Sequence, residues 1–294
     1  MYSRERIVIG TRGSALALKQ TEIIKSAIQA VNPALAIEVR VIETHGDINQ
    51  NPIPLDTVGK GWFTEEIENA LLSGEIDLAV HSLKDMADDM PEGLHIGAYL
   101  PREDASDVLI TKDGGSLSQG AVVGTDSSRR QIQMKALRPD VIMKSMRGNV
   151  PTRLQKLESE PYDAVILAAA GLKRLNLAHR ITQYFEPHEM TPAPGQGILA
   201  IQAKAGNKEL EKLLAAINDA DAAHVARIER SFSKTMGGGC KSPTGAYAFR
   251  DGDECVLIGM RADSESNIRR DEMRAPWGAN EKLGETLALK LLEY

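Results

Sequence analysis

Only two of the 294 residues are cysteines, Cys240 and Cys255, and neither stands at metal-ligand spacing from a second cysteine or a histidine. That scarcity excludes a disulfide framework and a zinc pattern, and it points to a reducing compartment. No stretch approaches the ~20 consecutive apolar residues of a membrane span. The opening MYSRERIVIG lacks the apolar run of a secretory signal, so the expected location is the cytoplasm. Positive charge is also in deficit: the formal net charge is -6, a field that favours neither nucleic acid nor an anionic membrane surface. What remains, at 42% hydrophobic and 26% charged residues, is an ordinary globular composition long enough for two or three domains.

The chain reads as α/β. Arg6-Ile-Val-Ile-Gly10 is a short buried strand, followed by the loop Thr11-Arg-Gly-Ser14 and by apolar residues at helical period from Leu16 to Val31, with Ser14 as the helix cap. Ile37, Val39 and Val41 alternate as a strand, Phe63 to Leu72 reads as a helix, and Asp77-Leu-Ala-Val80 as another strand. The plan then repeats. Ala121-Val-Val-Gly-Thr-Asp-Ser-Ser-Arg-Arg130 echoes the opening, with Ser128 and Gln131 fitting a capping box. Val141 to Met146 reads as a strand, Pro151 suits a first helical turn, and Asp163-Ala-Val-Ile-Leu-Ala168 resembles Asp77 to Val80. Two similar lobes with largely parallel sheets are the simplest explanation. From about Asp221 the pattern changes to an amphipathic helix, strands over Ala246 to Phe249 and Cys255 to Met260, and a closing helix marked by Leu283, Leu287 and Leu291.

Arg12, Lys84, Arg129, Arg130, Arg147 and Arg174 all follow expected strands. Ligands of open α/β sheets bind at the carboxyl ends of strands, so this placement predicts a cleft suited to a small polycarboxylate or phosphate. In VHSLKDM, Asp85 is either a solvated carboxylate or the one acceptor in a site of donors, able to hold an N–H and stabilise a developing cation. His81 reads as a hydrogen-bonded residue at a strand end. In TMGGGCKSPTG, three glycines and Lys241 surround Cys240, an opened backbone and a cation that favour thiolate. Cys255, inside an apolar strand, reads as packing.

The segments GTRGSALAL, VGKGWF, DLAVHSLKD, SSRRQ, RGNVPTRL, ILAAAGLKRL, PAPGQG and GGGCKSPTGAYA, in this order across nearly the whole chain, resemble the porphobilinogen deaminase (hydroxymethylbilane synthase) family. The resemblance implies two periplasmic-binding-protein-like α/β lobes with mixed, largely parallel sheets, over residues 1–100 with 197–218 and over 104–193. It also implies a small C-terminal α+β domain over 221–294. The implied activity condenses four porphobilinogen molecules, releasing ammonia each time, into linear hydroxymethylbilane. The implied cofactor is dipyrromethane, held on Cys240 by a thioether and made from the enzyme's own substrate; no metal, nucleic acid or membrane is involved, and the chain is expected to act as a monomer.

Residue by residue, Lys84, Ser127, Arg129 and Arg130 match the family's cofactor ligands. Arg12, Ser14, Arg147, Arg153 and Arg174 match substrate-side ligands, as does Lys60 in a loop that covers the cleft. Asp85 matches the aspartate that contacts pyrrole N–H groups and stabilises the azafulvene cation left when ammonia departs. Departures from the usual pattern are Asp56 for lysine, Asp126 for serine, His45 for arginine and Gly237 for glutamate, together with Pro151 and Pro194. Asp126 would repel polycarboxylate pyrroles unless it pairs with Arg129 or Arg130. The same architecture also serves receptors that close on an anion without chemistry, and a weakly active paralogue would load the cofactor yet elongate poorly.

Overall fold

The computed structural model describes residues 5–48, 64–237, 243–264, 267–278 and 281–293. Asp56, Lys60 and Cys240 lie outside the described residues. In chain order the elements are β1 (Arg6–Thr11), α1 (Ala15–Val31), β2 (Ala36–Val41), α2 (His45–Ile48), α3 (Glu65–Ser73), β3 (Leu78–Ser82) and β4 (Leu94–Tyr99). Next come β5 (Asp107–Thr111), β6 (Val122–Gly124), α4 (Ser128–Leu137), β7 (Ile142–Lys144), α5 (Val150–Ser159), β8 (Ala164–Ala168), α6 (Ala169–Arg174) and β9 (Gln183–Tyr184). Last are β10 (Leu199–Lys204), α7 (Lys208–Ile217), α8 (Ala220–Thr235), β11 (Thr244–Asp251), β12 (Glu254–Ser264), β13 (Asn267–Pro276) and α9 (Lys282–Leu292). The chain divides into two compact units, Met1–Arg102 with Ile198–His224 and Glu103–Gly197 with Val225–Tyr294.

Each unit holds one five-stranded sheet, and the two sheets have the same plan. In the first lobe the order is β2-β1-β3-β10-β4, and in the second β7-β6-β8-β5-β9. The three leading strands of each are mutually parallel, and the fourth runs antiparallel to both neighbours. The sheets are therefore mixed, each with two parallel and two antiparallel pairings. Matching carboxylates mark the repeat. Asp77 accepts the Val8 N–H at 2.8 Å and donates its own N–H to the Val8 carbonyl. Asp163 does the same to Val122, its carboxylate at 2.7 Å. Gly10 and Gly124 occupy equivalent places at the ends of β1 and β6. A Cβ at either would have to displace a packed tip, of Ile76 in the first lobe and of Met146 in the second.

Apolar faces explain the layers. Leu78 and Val80 of β3 face α1 and α7 with Ile24, Ile28, Leu210 and Leu214, while Ala79 faces α3 with Ile67 and Leu71. In the second lobe Ala164 and Ile166 pack with Met134 of α4, whereas Val165 and Leu167 pack with Leu154 and Leu157 of α5. The caps follow the sequence with one correction. Ser14 caps α1 by accepting from the Ala17 N–H, and Pro151 lies in the first turn of α5. For α4, however, the cap is Ser127, which accepts from the Arg130 N–H, and Gln131 turns its amide to the Thr125 carbonyl. The expected Ser128–Gln131 box does not form, because Ser128 is already the first helical residue.

The C-terminal domain is an antiparallel sheet, β11-β12-β13, with α8 and α9. Its third strand, β13, was not expected: five of its ten residues carry charge (Arg269, Arg270, Asp271, Glu272 and Arg274), which masks any apolar alternation. Within the second unit this domain is tied to the lobe by buried polar groups. Glu229, fully buried on α8, accepts the N–H of Gly195 at 2.6 Å and of Ala248 at 2.7 Å. Arg270 donates to Thr191 Oγ1 and Gln133 Oε1 at 2.9 and 2.8 Å.

Candidate active site

In the first lobe the candidate residues sit on two loops at the carboxyl ends of β1 and β3. Arg12 and Ser14 bracket the turn into α1. Lys84 and Asp85 lie on a 3₁₀ turn, Leu83–Asp85, that directly follows β3. Leu83 is buried and donates its N–H to the Ile198 carbonyl, and the Met86 N–H closes back on Leu83. The apolar anchors at both ends hold the turn and leave Lys84 and Asp85 exposed.

Behind this turn the imidazole of His81 is buried, its Nε2 3.0 Å from Gln202 Oε1. Burial drives His81 down to about 4 against the pull of the Gln202 hydrogen bond, and the nearby charge of Arg12 lowers it further.

In the second lobe the first turn of α4 carries Arg129 and Arg130, both buried, against the fully buried Asp107 at the start of β5. Arg129 Nη1 donates to Asp107 Oδ2 and to the Thr191 carbonyl, each at 2.5 Å. Arg130 donates from Nε and Nη2 to Asp107 Oδ1, and Gln196 Nε2 adds a bond to the same oxygen at 2.9 Å. Burial alone would raise the Asp107 carboxyl, but the two guanidiniums and Gln196 hold it well below the usual carboxylate range. Burial lowers Arg129 against the attraction of Asp107. The cluster of two cations and one anion carries one positive charge in excess, in a place water scarcely reaches. A buried net charge of this kind favours an anion in its neighbourhood, while the Arg130 donors stay engaged inside the protein, Nη1 on the Ile166 carbonyl at 3.2 Å.

The remaining arginines lie on other elements of the same lobe: Arg147 on the loop after β7, Arg153 in α5 and Arg174 at the end of α6. Arg147 Nε lies 3.5 Å from Asp126, whose other oxygen takes the Ser145 hydroxyl. Asp126 thus pairs with Arg147, and not with Arg129 or Arg130, whose guanidiniums turn inward to Asp107. Arg153 Nε donates to the Gly148 carbonyl, and Arg174, buried at the end of α6, donates to the Gly197 carbonyl at 2.6 Å. Burial brings Arg174 down to about 10. Cys255 is fully buried in β12, and burial followed by the charge of Glu229 pushes its thiol up to about 11. It is an inert packing residue. Among the described residues no group of three or more His, Cys, Asp or Glu side chains could hold a metal ion.

Asp107, Gln196, Gln133 and Thr191 were not anticipated. The one available signal for Asp107 was a carboxylate opening the apolar run Val108-Leu-Ile110, and its partners lie 22, 23 and 89 residues away.

Residues 7–212 match the family described as "Porphobilinogen deaminase, dipyromethane cofactor binding domain", and residues 223–293 match its C-terminal domain. The chain belongs to the porphobilinogen deaminase family. The porphobilinogen deaminase of Roseiflexus castenholzii is 44% identical over 294 residues, covering 99% of this chain and 97% of the relative. That of Fusobacterium nucleatum is 45% identical over 270 residues, covering 90% and 91%. The chain is accordingly a transferase of tetrapyrrole biosynthesis, forming hydroxymethylbilane from porphobilinogen with a dipyrromethane cofactor.

Among solved structures, the VFT2 domain of BvgS from Bordetella pertussis aligns with a TM-score of 0.43 at 15% identity, covering 77% of this chain and 93% of that one. The second substrate binding domain of GlnP from Lactococcus lactis aligns at 0.44 and 11% identity, covering 74% and 90%.

Proposed function

We propose that Cys240 tethers the dipyrromethane through a thioether, and that the loops at the strand ends divide between holding the cofactor and holding porphobilinogen. When bound, the cofactor supplies the pyrrole terminus from which the product chain grows. The observation that carries the reading is the charge imbalance of the buried Asp107, Arg129 and Arg130 cluster, which matches an acetate or propionate group. Lys84 and Ser127 are assigned to the same side. Arg12, Ser14, Arg147, Arg153, Arg174 and Lys60 are assigned to the carboxylates of substrate and growing chain, where charge-assisted pairing with arginine gives both affinity and orientation.

Asp85 is assigned the chemistry. On its anchored turn it accepts the pyrrole N–H and balances the cation formed as ammonia leaves porphobilinogen. Its exposure leaves it open to a ligand. The reading extends to a monomer working in the cytoplasm without nucleic acid, supported by the net charge of -6 and the scarcity of cysteine.

Intact-mass measurement of the purified protein tests the tether. The expected result is a mass above that of the polypeptide by one dipyrromethane, lost in Cys240→Ser. An unmodified wild-type protein, with porphobilinogen supplied during expression, would overturn the assignment.

A further inference from the structure

A buried polar chain crosses the first lobe on the α3 side of its sheet. His81 of β3 meets Gln202 of β10 at 3.0 Å, and Gln202 Nε2 donates to Glu68 Oε1 of α3 at 3.0 Å. His81 and Gln202 are both buried. The second lobe shows what the fold itself requires at these places. Asp77 and Asp163 are equivalent by their matching bonds to Val8 and Val122. At that spacing His81 corresponds to Leu167 and Glu68 to Leu154. Gln202 stands opposite Ala79 in β3, as Ile110 stands opposite Val165 in β8. Leu167, Leu154 and Ile110 belong to one apolar cluster. The architecture is thus built without the polar chain, and burying such groups in place of leucine and isoleucine gains no stability by itself.

Hydrogen-bond direction fixes the imidazole. A carboxylate only accepts, so Gln202 gives its NH₂ to Glu68 and turns its carbonyl oxygen to His81. His81 Nε2 must then carry the hydrogen, which leaves Nδ1 as an uncharged acceptor in a neutral ring. β1 and β3 run parallel with Gly10 opposite Ala79, and Arg12, the first residue past the end of β1, lies near enough for its charge to be felt at the imidazole.

We propose that His81 is a positioning residue for the substrate side of the reaction: held in its Nε2–H tautomer by Gln202 and Glu68, it orients the Arg12 guanidinium to receive a porphobilinogen carboxylate. The inference rests on the assignment of Arg12 to substrate. A second cation at His81 would compete with Arg12 for the same anion, whereas a neutral acceptor supports it.

The test copies the second lobe into the first. In the full, cofactor-loaded enzyme the triple variant Glu68→Leu, His81→Leu, Gln202→Ile is expected to keep or raise the melting temperature while KM for porphobilinogen rises roughly tenfold, within the range for residues coupled in one network. His81→Leu added to Arg12→Gln should raise KM no further than Arg12→Gln alone. Imidazole ¹⁵N shifts of the wild-type enzyme at neutral pH should report the Nε2–H tautomer. A wild-type KM in the triple variant, a KM rise that tracks a fall in melting temperature, additive effects of His81 and Arg12, or an Nδ1–H tautomer would each overturn the proposal. An Arg12→Gln enzyme with wild-type KM overturns the assignment of Arg12 and the proposal with it. An impaired Arg12→Gln beside an unimpaired triple variant overturns the proposal alone.

Discussion

Arg130 grips one oxygen of Asp107, Oδ1, with both Nε and Nη2 at 3.0 and 2.7 Å, while Arg129 takes Oδ2. One buried carboxylate therefore organises two buried guanidiniums, and its removal strands both. Asp107→Asn is expected to destabilise the protein by about 3 kcal/mol or more, the cost of breaking a buried pair from one side. Because the folded carboxyl titrates below its unfolded value, this stabilisation is complete above about pH 4 and is lost as the pH falls further. Urea unfolding of wild type and variant at pH 7 measures it; equal midpoints would rule out the organising role.

The two thiols should separate cleanly. Cys240→Ser is expected to abolish both the adduct mass and turnover, whereas Cys255→Ala should stay loaded and active, since its thiol is buried and held protonated. A Cys240→Ser protein that still carries the adduct would place the tether elsewhere.

Asp126 occupies Arg147, so the two should be linked in substrate binding. Asp126→Ser removes this pairing, and KM for porphobilinogen is expected to fall a few-fold, the scale of one modest hydrogen bond. Arg147→Ala should yield protein that loads the cofactor normally but stalls in elongation, visible as short intermediates in native mass spectra. Normal elongation by Arg147→Ala would remove Arg147 from the substrate side.

Asp85→Asn keeps the shape of the side chain and one acceptor but removes the charge. Turnover should drop roughly 10²-fold or more with KM within a few-fold of wild type, as for other electrostatic stabilisers. Asp85→Glu, with the charge displaced, should retain more activity than the asparagine variant. A defect confined to KM would show that Asp85 binds substrate and takes no part in stabilising the cation.

His81 carries a pH signature of its own. Its folded value of about 4 lies below the ordinary 6.5, so the unfolded chain takes up a proton that the folded protein refuses. Stability is then intact above about pH 6.5 and declines as the pH drops toward 4, by about 3 kcal/mol in all. His81→Leu should flatten that part of the stability curve; identical slopes for both proteins from pH 6.5 to 4 would contradict the burial of a neutral ring.

Local signals in the sequence were legible wherever one residue decides a conformation. Ser14 as a cap, Pro151 in a first turn, and the repeated Asp-led strands at Asp77 and Asp163 all read correctly, because caps and alternation act over a few residues. The failures share a cause. β13 hides behind its charges, Ser127 outcompetes its neighbour Ser128 by one position, and Asp126 finds Arg147 instead of the nearer arginines. The partner of His81 lies 121 residues away and that of Asp107 up to 89. Pairings of that kind are made by the topology of the sheets, which periodicity does not encode.

The place of β10 between β3 and β4 sets an order on the making of the protein. All five strands of the second sheet are contained within residues 107–184, so that sheet can close as soon as its own stretch has been synthesised. The first sheet has β3 and β4 early but no strand to join them until Leu199–Lys204 appears. The amino-terminal lobe is consequently the later of the two to finish its sheet on the ribosome, reversing the usual amino-to-carboxyl sequence of domain folding. Gln202, which arrives with that last strand, reaches His81 only then.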